Sequence, residues 1–173
     1  MHDYQYVYLG LGTNMGDKYN NLVESIKQLG IHPHIWVTNS SFIYESEPMY
    51  NLNQDKFYNM VIEIETNLLP IELLDYIKQI ELNLGRKNTN IKNLPRIIDI
   101  DILVFKNLKI NSEILTVPHP LIAERKFVIK PWNDIAPNLI IPELDVKVCD
   151  LLNNTVDKSD PRMILIDNEK GTI

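Results

Sequence analysis

Two aspartates, Asp99 and Asp101, stand two residues apart in the run PRIIDIDILVF, residues 95–105. In an extended chain alternate side chains share a face, so both carboxylates point the same way. Two ionised carboxylates that close repel, and they are relieved by a shared proton or by a divalent cation. Mg²⁺ takes oxygen ligands, keeps several waters, and is commonly divided between one or two carboxylates and substrate phosphates. A D-x-D on a strand therefore suits a metal–phosphate site. The motif is short and common, and it fits a solvated strand face with incidental acids equally well. Its surroundings shift the balance. Arg86, Lys87, Lys92 and Arg96 precede the pair, and His119, Arg125 and Lys126 follow it. Arginine forks match phosphate oxygens two at a time. Singly these residues read as surface decoration, and His119, between two prolines, as a turn histidine. Gathered around a carboxylate pair they favour phosphate chemistry. GLGTN at 10–14 is no P-loop, since GxxxxGK[ST] is absent, and reads as a tight strand-to-helix turn.

The elements that must position these groups follow from periodicity. Residues 4–11 are aromatic and branched and read as a strand bounded by Gly10 and Gly12. Leu22, Val23, Ile26 and Leu29 recur at helical spacing, with Gly30 at the stop. Residues 35–44 read as a second strand, with Trp36, Phe42 and Tyr44 on one parity. Residues 57–65 alternate, placing Tyr58, Met60, Ile62 and Ile64 on one face and Asn59, Val61 and Glu63 on the other. Pro70 opens a helix striped by Leu73, Leu74, Ile77, Ile80 and Leu84, which Gly85 ends. Residues 97–105 form the strand of the acid pair, with Ile98, Ile100, Ile102 and Val104 as its apolar row. The order β-α-β-β-α-β predicts an α+β, ferredoxin-like sandwich: an antiparallel sheet, helices on one face, and C-terminal additions. The other face is left open, and Asn59, Asp99 and Asp101 on it would make a cleft. That architecture hosts many activities, so the fold alone assigns none.

At 173 residues and 45% hydrophobic the chain suits a single domain over 1–173, with 143–173 a weakly specified extension. A net charge of -6 argues against general nucleic-acid binding. The lone Cys149 excludes an intrachain disulfide framework and reads as core. Neither a signal peptide nor a membrane-length apolar run is visible, so a cytoplasmic protein is expected.

PRIIDIDIL, followed by LTVPHP and ERKFV and preceded by LGLGTNMGD and FYNMVIEIET, resembles the 6-hydroxymethyl-7,8-dihydropterin pyrophosphokinases of folate biosynthesis. The resemblance runs from about residue 6 to 142. It implies a ferredoxin-like fold and transfer of pyrophosphate from ATP to the pterin hydroxymethyl group, releasing AMP. It implies two Mg²⁺ ions held by Asp99 and Asp101, with Arg96 and Arg125 joining them in catalysis. It places Arg86, Arg96, Ile102, Thr116, His119 and Arg125 at the nucleotide. Ser46, Met49, Phe57, Asn59 and Phe127 fall at the pterin, with Gly12 and Asn14 in the turn beneath. ATP and the pterin are the expected partners, without nucleic acid or membrane, for a monomer or weak homodimer.

The chain departs from the pattern ahead of the aspartates. Asn93 replaces a tryptophan and Leu94 a glycine, while Asn88 and Ile114 stand where an arginine often appears. An active enzyme with reduced loop closure or altered nucleotide affinity is expected. The alternatives are a catalytically silent ferredoxin-like pterin- or nucleotide-binding module, and a small RNA-binding sheet, which the charge and the lack of paired exposed aromatics oppose.

Overall fold

A computed structural model describes residues 5–87 and 94–165. The chain runs β1 (Gln5–Thr13), α1 (Lys18–Ile31), β2 (Ile35–Ser40), β3 (Tyr44–Ser46), β4 (Phe57–Thr66), α2 (Pro70–Asn83) and β5 (Asp99–Phe105). After these come the β6 (Ile110–Asn111) and β7 (Thr116–Val117) hairpin and α3 (Lys126–Ile135). A second hairpin of β8 (Ile140–Ile141) and β9 (Val146–Lys147) leads to α4 (Val148–Asn154) and β10 (Arg162–Met163). The main sheet is antiparallel in the order β10-β3-β4-β1-β5, with β2 also paired to β4. This is the ferredoxin-like arrangement. Among the described residues no helix is long and apolar enough to cross a membrane.

Period-two alternation builds the helix-covered face. Leu9 and Leu11 of β1, Ile62 and Ile64 of β4 and Ile100 of β5 meet Leu22 and Leu29 of α1 and Leu73, Ile77 and Ile80 of α2. Burying each such side chain contributes about 1.5–3 kcal/mol before entropy is charged against it. Asp17 caps α1 by accepting the Asn20 N–H at 3.1 Å. Glu72 reaches back to the Leu69 N–H at 2.8 Å and caps α2.

Three expectations change. The strand expected over 35–44 is two strands. Ser41 donates its N–H to the Val61 carbonyl, and its Oγ accepts the Val61 N–H at 2.9 Å. One residue thus occupies both ladder positions of Val61, and Phe42 is turned outward, 60% exposed, before pairing resumes at Tyr44. In β5 the register shifts between Tyr8 and Leu9 of its partner, which pair with Val104 and Ile102. Leu103 is the extra residue of this bulge. The apolar row therefore ends at Ile102; Val104 turns to the opposite face and Phe105 takes its place under the helices.

The second face is not left open along its length. Ile129 and Trp132 of α3, Ala136 at its C-cap and Val148 of α4 pack on Tyr8, Val61, Leu103 and Val104. The Trp132 and Tyr8 ring centroids are 5.5 Å apart. Among the described residues, the other end of this face, beyond Leu103, is left uncovered. Trp132 is fully buried, so Trp132→Ala is expected to cost about 3–5 kcal/mol, seen as a lower urea midpoint. An unchanged midpoint would mean that α3 does not dock on this face in solution.

Candidate active site

At the open end of the second face the central strand has no side chains. Gly10 and Gly12 of β1 lie opposite Asp101 and Asp99 of β5 on one side, and Val61 and Asn59 of β4 on the other. They sit inside a strand rather than in the turn the sequence suggested, because β1 continues through both to Thr13. A Cβ on Gly12 would approach Asn59 Oδ1 to 3.1 Å, and one on Gly10 would meet Leu103 Cδ2 at 3.3 Å. Bare backbone thus floors a cleft of about 820 Å³ of empty space, open to solvent, between the acid pair and Asn59.

Asp99 is clamped by two guanidinium groups. Arg86 Nη1 lies 2.5 Å from one carboxylate oxygen and Arg96 Nη1 2.5 Å from the other. The placement of Arg86 is local in origin. Gly85, at φ +98°, ends α2 so that its N–H reaches the Leu82 carbonyl and the Arg86 N–H reaches the Glu81 carbonyl. Glu81, 2% exposed, then holds Arg86 again through its side chain at 2.6 Å. The same carboxylate oxygen accepts the Ile100 N–H of β5 at 2.8 Å, and the other accepts from Lys78. Glu81 was not singled out from the sequence. The available signal was its place four residues after Ile77, an acid inside the apolar stripe of α2.

Asp101 is served more loosely. Arg125 Nη1 stands 3.7 Å from it and His119 Nε2 3.9 Å away, and no described side chain hydrogen-bonds to it. His119 accepts the Leu121 N–H on Nδ1, so its Nε2 carries the proton and faces the carboxylate. Burial pushes the His119 ring below its ordinary value despite Asp101, which keeps it neutral near pH 7. Burial pushes Asp99 up, but Arg96 and Arg86 more than reverse this and hold it below the usual carboxylate range. Burial and the neighbouring Asp99 carboxylate push Asp101 up, against His119 and Arg125.

Asn14, 2% exposed, ties three loops around the cleft. It exchanges bonds with Arg96 in both directions, N–H to carbonyl at 3.1 Å and Arg96 N–H to its Oδ1 at 2.8 Å. Its Nδ2 donates to Gln54 Oε1 and to the Asp55 carbonyl, both at 3.1 Å. Across the cleft, Asn59 Nδ2 donates to Ser46 Oγ at 2.9 Å, and Oδ1 lies over Gly12. Phe57 and Phe127 are further walls. Each carries one of the arginines, Arg96 at 5.5 Å from the Phe57 centroid and Arg125 at 5.9 Å from that of Phe127.

The expected residues Ser46, Met49, Phe57, Asn59 and Phe127 all line this cleft, as do Arg96, Asp99, Asp101 and Arg125. Arg86 and His119 reach it through the aspartates. The Ile102 side chain, 4% exposed, is buried under the helices and does not line the cleft. Thr116 lies in β7 opposite Asn111, outside the lining. Leu94 is 38% exposed and Ile114 70% exposed, and Asn88 and Asn93 lie outside the described residues.

No cluster of three or more His, Cys, Asp or Glu side chains among the described residues is placed to enclose a metal. Two carboxylates on one face instead fit Mg²⁺, which completes its shell with water and phosphate. Asp101, unbonded and resisting ionisation, would gain most from a cation. Arg96 and Arg125 each keep a buried Nε with no partner among the described residues.

The family model described as 7,8-dihydro-6-hydroxymethylpterin-pyrophosphokinase matches residues 8–137. The folic acid synthesis protein FOL1 of Dictyostelium discoideum is 46% identical over 140 residues, 81% of this chain; the chain spans 21% of that protein's length. A 2-amino-4-hydroxy-6-hydroxymethyldihydropteridine pyrophosphokinase of Aquifex aeolicus is 42% identical over 136 residues, 79% of this chain and 83% of that one. The crystal structure of Plasmodium falciparum HPPK-DHPS with pteroate superposes with a TM-score of 0.71 over 89% of this chain and 43% of that one. At 19% identity this is a likeness of fold.

The two aspartates are expected to respond oppositely to neutralisation in metal-free buffer. Asp99, with its folded value lowered, stabilises the fold above the ordinary carboxylate value of about 3.9 and loses that contribution as pH falls through the folded value. Asp99→Asn should therefore lower the melting temperature at pH 7. Asp101, with its folded value raised, costs stability once ionised, a cost absent below about 3.9. Asp101→Asn should raise the melting temperature at pH 7, by a margin that shrinks on acidification. Equal shifts of the same sign in calorimetric scans would refute the asymmetry.

Proposed function

The chain belongs to the 7,8-dihydro-6-hydroxymethylpterin-pyrophosphokinase family, and from that premise we propose that it transfers pyrophosphate from ATP to 6-hydroxymethyl-7,8-dihydropterin in folate biosynthesis. The observation that carries the proposal is the meeting of two chemistries over one glycine floor. One side offers carboxylates and arginines for phosphate, the other an amide and aromatic rings for a flat heterocycle. A cytoplasmic setting and a monomer or weak homodimer belong to the same proposal.

On this reading the pterin lies against Asn59 and between aromatic walls. Asn59 Nδ2 is committed to Ser46, which leaves Oδ1 to accept an N–H of the ring. Phe127 and Phe57 supply apolar faces for stacking. The hydroxymethyl oxygen then faces the acid pair across Gly10 and Gly12. It attacks the β-phosphorus in line; the bond to the α-phosphate oxygen breaks, and AMP leaves. Such transfers rely on positioning and on neutralising phosphate charge rather than on covalent participation of the protein.

Arg96 and Arg125 line the phosphate side of the cleft, and His119 offers a neutral Nε2–H donor. Arg86 and Arg96 are occupied with Asp99 in this structure. Phosphate binding would draw Arg96 away, and Glu81 would keep Arg86 in place. Two Mg²⁺ ions held by Asp99 and Asp101 would neutralise the triphosphate oxygens and act as Lewis acids.

Protein mixed with ATP, Mg²⁺ and 6-hydroxymethyl-7,8-dihydropterin should yield AMP and the pterin diphosphate. Asp101→Ala should lower turnover by more than about 10³-fold with an unchanged circular dichroism spectrum; wild-type turnover in this variant would overturn the metal assignment. Gly12→Ala, which sets a methyl against Asn59 Oδ1, should weaken pterin binding on the order of tenfold with little change in melting temperature. Pterin binding by the wild type without AMP would favour the silent module instead.

A further inference from the structure

The segment 155–164 lies beyond the stretch that the family model matches, which ends at residue 137. It bonds to the elements that carry both sides of the cleft. At one end it serves the first turn of α3. That helix receives no side-chain cap from Arg125, its own N-cap residue. Its first amide, Lys126 N–H, donates instead to Asp157 Oδ2 at 2.8 Å. Asp157 is itself held in place: its Oδ1 accepts the Ser159 N–H at 2.8 Å, and its N–H donates to Thr155 Oγ1 at 3.2 Å. The Thr155 hydroxyl in turn donates to the Ala123 carbonyl at 3.1 Å. Further along, Lys130 Nζ of α3 donates to the Pro161 carbonyl at 2.6 Å.

At its other end the segment enters the sheet. Arg162 and Met163 of β10 pair with Glu45 and Tyr44 of β3, and Ile164 N–H donates to the Ile43 carbonyl at 2.9 Å. One residue beyond Glu45 is Ser46, the acceptor of Asn59 Nδ2. The peptide that Asp157 fixes lies between Arg125 and Phe127, both of which line the cleft. A carboxylate at a helix N-terminus is favoured by the free amides and by the helix dipole. Its delivery from 31 residues downstream links the Phe127 wall to the Ser46–Asn59 wall.

We propose that segment 155–164 is a strap that sets the distance between these two walls, with Asp157 as a positioning residue for the pterin. The inference rests on the pterin reading given above. A cap that only stabilised α3 would change melting temperature alone. A strap that positions Phe127 changes the affinity for the ring as well.

The test is a comparison of wild type, Asp157→Ala and Asp157→Asn. Pterin affinity is measured by fluorescence titration, KM and kcat by AMP formation, and the Lys126 amide by hydrogen exchange. Asp157→Ala is expected to raise the pterin Kd and KM about fivefold to tenfold, with kcat within about twofold, and to speed exchange of the Lys126 amide. Asp157→Asn keeps an oxygen acceptor for that amide and should restore most of the affinity. A lower melting temperature with unchanged pterin Kd and KM in Asp157→Ala would overturn the strap, as would failure of Asn to rescue a folded protein. If the wild type binds pterin but forms no AMP, the transfer reaction is refuted and the Kd comparison still decides the strap. If the wild type binds no pterin, both are refuted.

Discussion

Two carboxylates on the same face of one strand cannot both remain ionised against protein unless positive charge is brought to them. Much of the region around β5 answers that constraint. The answer is unequal. Asp99 is enclosed by Arg86 and Arg96, while Asp101 has only distant partners and the repulsion of its neighbour. The first aspartate fastens the strand end to the loops before it. The second is left in a state of unmet electrostatic demand.

The compensation extends one layer back. Glu81 would be an isolated buried acid without Arg86, Lys78 and the Ile100 amide, and burial pushes its carboxyl up even with them. Its position joins α2 to β5, so the helix that covers one face of the sheet also sets a charge on the other. Asn14 does the equivalent work for the loops, using both ends of its amide and its own backbone. The pairs Arg96–Phe57 and Arg125–Phe127 join the charged side of the cleft to its aromatic side.

Period-two alternation in 57–65 put Asn59 on the polar side of its strand, and the D-x-D put both aspartates on one face of theirs; that the two faces coincide came only from the pairing of both strands with β1. The helical stripes placed α1 and α2 on the opposite face. What alternation could not reveal was where it breaks. A serine standing in for a ladder partner split one expected strand, and a bulge at Leu103 exchanged the faces of Val104 and Phe105. Both events depend on a partner strand far away in sequence. The covering of half the second face by α3 and α4 was equally hidden, because nothing local in a short helix says which distant face it packs on, and Pro131 inside α3 reads as a stop. The glycines at 10 and 12 looked like punctuation, since a strand that omits side chains to make room for a ligand has the same local composition as a turn.

Those two glycines have a consequence for any inhibitor of the cleft. A compound that lies flat over β1 touches peptide groups and α-carbons, the parts of the chain that every residue type shares. Mutational escape usually proceeds by reshaping a side chain under the drug. Here there is none to reshape, and any replacement at residue 12 adds a carbon 3.1 Å from Asn59 Oδ1, inside the same cleft. Resistance would have to arise at the walls, which makes the floor the most durable place to aim binding energy.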